Sequence, residues 1–177
     1  MPHASRTATP ERADPDCAAA SRLIARAQRT IPVDITALAE SLGVAVWESP
    51  FLPPSISGKL FRDPRHGGAS GYSILINSRE SYTRKRFTVA HEVAHFLLHR
   101  KRLGEGVAED AWYRSGFAVS EEREANRFAA DLLIPPAQLA RWTRCGVTDP
   151  DELARCFEVS SRAMRIQLGR LRRDQEE

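Results

Sequence analysis

The spacing of apolar side chains divides the chain into segments with a three-to-four-residue rhythm and a few short stretches that alternate at every second position. Cys17–Gln28 and Asp34–Leu42 carry the helical rhythm, the second ended by Gly43, and Val44–Glu48 then alternates as a strand. Pro50, Pro53 and Pro54 mark a loop. Ser57–Arg62 and Tyr72–Asn77 alternate again across Asp63-Pro64-Arg65-His66-Gly67-Gly68, whose turn-forming residues predict an antiparallel pair in a small twisted sheet. From Phe87 to Leu98 a helix would place Val89, Ala90, Val93, Phe96 and Leu97 on one face and His91 and His95 on the other. Ser120–Pro135 reads as a second such helix, with Ser120 as N-cap, a stripe of Ala125, Phe128, Ala129, Leu132 and Leu133, and a stop at Pro135-Pro136.

Downstream, Thr148-Asp149-Pro150 starts a helix with Leu153, Ala154 and Phe157 on its apolar face. A turn at Glu158-Val159-Ser160 leads to a helix carrying Ala163, Met164, Ile166, Leu168 and Leu171. Residues 148–173 therefore have helix-turn-helix spacing. Gly104–Val119, with Trp112 and Tyr113, has no periodicity and reads as a loop over the two central helices. Residues 1–16, interrupted by Pro2, Pro10 and Pro15, read as a disordered tail, which leaves 17–177 as one α+β domain: a short sheet packed on helices and a helical C-terminus.

Composition narrows the class. A chain of 177 residues with 42% hydrophobic content can bury one core. Cys17, Cys145 and Cys156 form no close pair and are odd in number, so neither a disulfide framework nor a cysteine metal site is indicated. No apolar run approaches the roughly 20 residues of a membrane span, and the N-terminus lacks the apolar core of a signal peptide; the expectation is a cytoplasmic protein. A net charge of +3 decides nothing by itself.

The chemistry sits on the two central helices. His91-Glu92-Val93-Ala94-His95 sets two imidazoles four residues apart, about 6 Å along a helix and nearly on one face, so both can converge on one ion. Glu92 projects about 100° away, where its carboxylate can reach a water held by that ion without being a ligand, the placement a general base needs. The competing explanation is a helix that merely contains two histidines. It leaves Glu92 as an uncompensated charge in a half-buried segment.

A catalytic zinc site takes a third protein ligand and keeps a position open. His99 lies eight residues and about 12 Å from His91 on a continuous helix, too far to share its ion. It is read as a supporting or surface residue. Of the three glutamates at the start of the next helix, Glu122 falls inside the apolar stripe, whereas Glu124 falls outside it with Arg127 and Asp131. Glu121 and Glu124 are explained by the positive end of the helix dipole, but both stay open as alternatives to Glu122. Asn126, one turn beyond Glu122, is placed to orient a ligand.

Arg86–His95, Glu122–Ala130 and Leu132–Pro135 together resemble the ImmA/IrrE-type metallopeptidases encoded by mobile elements, phages and bacterial stress-response loci, with weaker agreement at Pro32–Ile35 and Ile74–Asn77. The resemblance runs from about Ile31 to Leu171. It implies a small zincin-like domain, zinc held by His91, His95 and Glu122, and Glu92 as base. The third ligand follows from the family's glutamate four residues before Asn126. The resemblance also implies a protein substrate, a helix-turn-helix repressor whose cleavage derepresses mobile-element or stress-response genes.

Other residues invite assignments. Arg84, Lys85 and Arg86 oppose the dipole at the start of the first central helix, and call for internal acids or for an acidic segment of substrate. Tyr113 and His99 are candidates for stabilising an oxyanion. An exposed sheet edge could hold a substrate in extended form, but the edge strand cannot be chosen from the alternation alone. Arg162, Arg165, Arg170, Arg172 and Arg173 make the C-terminal pair basic and keep DNA contact open as a subordinate reading. A non-proteolytic module that binds a repressor or DNA is the alternative function.

Overall fold

Two helices that each carry one apolar face must bury it, and here they bury it against one another and against a sheet. The computed structural model describes residues 15–103 and 118–173. Along the chain come α1 (Pro15–Ala27), α2 (Ile35–Ser41), β1 (Val44–Ser49), β2 (Gly58–Arg62), β3 (Tyr72–Asn77), α3 (Tyr82–Leu103), α4 (Val119–Leu133), α5 (Pro136–Arg144), α6 (Pro150–Phe157) and α7 (Ser161–Arg173). Val89, Ala90, Val93 and Phe96 of α3, Ala129, Leu132 and Leu133 of α4, Ile74 and Ile76 of β3, and Leu153, Phe157 and Met164 of α6 and α7 form one continuous core. The α+β class read from the sequence is the observed one.

The sheet order is β1-β3-β2. β2 and β3 form the expected antiparallel pair, with Leu60 opposite Ile74, and Asp63 closes their turn by accepting the Arg65 and His66 N–H groups. β1 joins the other side of β3 in parallel, Val46 opposite Ile74. That pairing spans the whole β2 hairpin and leaves no mark in local alternation.

Helix ends differ from expectation in ways that follow from backbone bonding. α4 starts at Val119 with Ala118 as its cap: the Glu121 carboxylate reaches back to accept the Ala118 N–H at 2.7 Å, so Ser120 lies in the first turn and is not the cap. Pro135-Pro136 ends α4 as expected but also begins α5, because a proline at the first helical position removes an N–H that has no partner there. The 1–16 segment read as a tail lies outside the described residues up to 14, and α1 begins at Pro15. Asp131, placed on the outer face of α4 by periodicity, is a hub instead. Its carboxylate accepts from Gln167 Nε2 and Arg170 Nη1 of α7, and its backbone carbonyl accepts from Gln28 Nε2 at the end of α1.

Arg86 ties α3 to distant parts of the chain. It is buried and donates to the Val33 carbonyl at 2.9 Å and to the Glu158 carbonyl at 3.1 Å, with the Glu158 carboxylate 3.5 Å away. Glu158 sits in the left-handed region (φ 52°) at the α6–α7 turn. Arg86→Met strands these carbonyls, and is expected to cost about 2–3 kcal/mol in denaturant unfolding. Arg84→Met, at an exposed position two residues earlier, should stay within about 0.5 kcal/mol of the parent.

Candidate metal centre

α3 presents His91, Glu92 and His95 where α4 crosses it, and α4 brings Glu122 to the same point. His91 Nε2 and His95 Nε2 are 3.0 Å apart; Glu122 Oε2 lies 3.3 Å from the first, and Oε1 3.5 Å from the second. Three nitrogen and oxygen donors bound tetrahedrally at about 2.0–2.1 Å are spaced about 3.3–3.4 Å apart, so the spread of this triangle is that of a metal site. Glu122 Oε1 is buried with no hydrogen-bond partner among the described residues, as an oxygen reserved for a cation would be. Burial depresses the pKa of both imidazoles, which keeps them neutral at neutral pH with a lone pair available for coordination. The donor set therefore fits a divalent metal ion.

Glu92 does not join the triangle. It points to the neighbouring strand, buried, with the Leu60 N–H hydrogen-bonded to its carboxylate. Ser57 O accepts from Asn77 N and Asp63 N donates to Gly71 O, so odd-numbered residues of β2 bond to β3, while Gly58, Leu60 and Arg62 turn their backbone groups to the outer edge. Among the described residues no strand pairs with that edge. Glu92 thus lies between the donor triangle and an edge of β2 that no described strand covers, and holds one N–H of that edge itself.

Burial, reinforced by the Glu122 charge, pushes the Glu92 pKa up to about 8. In metal-free protein the folded state then holds a proton that the unfolded state releases, so this carboxyl's contribution to stability is full below about 4.5 and lost as pH rises towards 8. The depressed histidines act in the opposite sense, adding stability as pH rises to about 6.5. Between roughly 6.5 and 8 the Glu92 contribution is the one expected to dominate among the described residues. With chelator present, thermal unfolding of the wild type should fall with pH in that window, and Glu92→Gln should remove the slope.

The remaining candidates separate clearly. Glu122 is 32% exposed and faces the histidines, whereas Glu124 is 61% exposed and lies 3.9 Å from His99 Nε2. Glu121 is occupied by its cap. His99, read as supporting or surface, is buried, its ring 5.4 Å from that of His95, and it stands outside the triangle. Asn126 lies beside His91 and is hydrogen-bonded to it. Tyr113, Trp112 and the 104–117 part of the proposed loop lie outside the described residues. The Leu60 N–H against Glu92 was not foreseen; a backbone donor from another element leaves no trace in residue type. No helix among the described residues is long and apolar enough to cross a membrane.

Comparison with known proteins agrees with this geometry. A family model described as IrrE N-terminal-like domain, of the peptidase M78 group, matches residues 39–168. No curated protein sequence matches. Among solved structures, a Mycobacterium tuberculosis transcriptional regulator is similar in fold, with a TM-score of 0.57 at 19% identity over 84% of this chain and 45% of that one. The chain thus spans less than half of that protein's length. The match covers both central helices and the sheet, and with it the small zincin-like architecture is accounted for: the chain belongs to the IrrE N-terminal-like family of metallopeptidase-type domains.

Proposed function

We propose that this chain, as one domain over residues 17–177, is a zinc-dependent endopeptidase acting on a protein substrate, a helix-turn-helix transcriptional repressor. The observation that carries the reading is the triangle of His91, His95 and Glu122 with the buried carboxylate of Glu92 between it and the free edge of β2. His91, His95 and Glu122 would hold the zinc. When bound, the ion supplies Lewis acidity to a water and to the scissile carbonyl. Glu92, a buried carboxylate beside the donor triangle, accepts the proton of the attacking water and passes it to the leaving amine. The outward-facing backbone of Gly58 and Arg62 aligns an extended peptide by strand addition, beside the Glu92 carboxylate that holds the Leu60 N–H.

The repressor as substrate rests on the resemblance of Arg86–His95 and Glu122–Ala130 to repressor-cleaving relatives, and the fold similarity to a transcriptional regulator is compatible with it. The test is incubation of the purified protein with the helix-turn-helix protein encoded beside it, with and without chelator, followed by mass spectrometry. Chelator-sensitive cleavage supports the reading. Intact repressor together with equal regulatory activity of wild type and Glu92→Gln would establish a binding module instead.

A further inference from the structure

Three consecutive cations open α3, where the positive end of the helix dipole disfavours them, and the fold neutralises two. Lys85 pairs with Glu48 at 2.9 Å, and Arg86 is buried against Val33 and Glu158. Arg84 is exposed, and no carboxylate lies within 4.0 Å of it among the described residues. Its Nε and Nη2 donate to Ser57 Oγ at 3.3 and 3.2 Å, and that hydroxyl donates to Glu80 Oε1 at 3.0 Å. The guanidinium is thus held in place by a hydroxyl while its charge is compensated only at one remove.

Its position gives that charge a direction. Arg84 precedes His91 by seven residues, two helical turns, so it shares the face of α3 that carries the histidines and lies about 10 Å from His91. β2 runs beside α3 in the same sense: Ser57 touches Arg84, Gly58 lies so close to Thr88 that an added Cβ would collide with its Cγ2, and Leu60 meets Glu92. The free edge of β2 therefore leads from the donor triangle to Arg84. A peptide added antiparallel to β2 has its C-terminal half at the Ser57 end, and about 10 Å corresponds to about three extended residues.

We propose that Arg84 is a specificity residue that binds the carboxylate of an Asp or Glu about three residues C-terminal to the scissile bond. This rests on the peptidase reading above. Arg84 acts on substrate binding, so its loss is expected in KM more than in kcat.

The test is cleavage of a proteome-derived peptide mixture by zinc-loaded wild type, Arg84→Ala and Arg84→Glu, with sites read by mass spectrometry and metal content measured for each. The wild type should favour an acidic residue two to four positions after the cut, by on the order of tenfold in kcat/KM over neutral residues. Arg84→Ala should lose the preference, and Arg84→Glu should turn it towards Lys and Arg, a reversal that misfolding cannot mimic. Cleavage with no acidic preference at these positions, or with one that survives Arg84→Glu, overturns the assignment and leaves the peptidase intact. Absence of any chelator-sensitive cleavage by the wild type overturns both.

Discussion

Glu92→Gln is expected to bind one metal ion as the wild type does and to hydrolyse peptide about a hundred- to ten-thousandfold more slowly. Glutamine keeps the shape of the side chain and an oxygen that can accept the Leu60 N–H, so the donor triangle and the edge of β2 stay in place. What it cannot do is take a proton from water at the moment of attack. Metal content by atomic absorption and repressor cleavage by mass spectrometry, on the same preparation, separate the two properties. Undiminished cleavage by a metal-loaded Glu92→Gln protein would remove Glu92 from the reaction and move the base elsewhere.

His95→Ala should lose the metal altogether, and hydrolysis with it. His95 is 1% exposed and sits between His91 and Glu122, so its removal takes one of three donors and leaves a cavity that solvent does not readily enter. Glu122→Ala should behave in the same way. Glu124→Ala should keep the ion, because that carboxylate turns to His99, and Glu121→Ala should also keep it while losing a capping bond of about 1 kcal/mol. Metal stoichiometry across the four variants decides the register: retention by Glu122→Ala with loss by Glu124→Ala would shift the site by half a turn.

These variants also mark how far the sequence could be read. Periodicity was sufficient for α3 and α4 because each has one strongly apolar face, and it favoured Glu122 over Glu121 and Glu124 without excluding them, whereas the structure turns Glu122 towards the two histidines. The β2–β3 pair was legible from the Asp63 turn, whose side chain bonds its own backbone locally. Features that depend on distant segments were not. The parallel pairing of β1 with β3, the Arg86 bonds to Val33 and Glu158, and the recruitment of Asp131 by α7 all join residues far apart in sequence. α5 was missed because Pro135-Pro136 was read as an ending and not also as a beginning.

Asp131 has a practical bearing on shortened versions of this protein. It lies nine residues after Glu122 on one unbroken helix, and Gln167 and Arg170 hold it from the final helix. A chain cut back before Gln167 would retain every residue proposed to contact metal or peptide, yet free the far end of the rod that carries Glu122. Such a fragment should bind a divalent metal ion more weakly even though its proposed donors are all present. The last helix thus steadies the helix that carries Glu122, and a shortened version meant to keep the proposed donor triangle should include it.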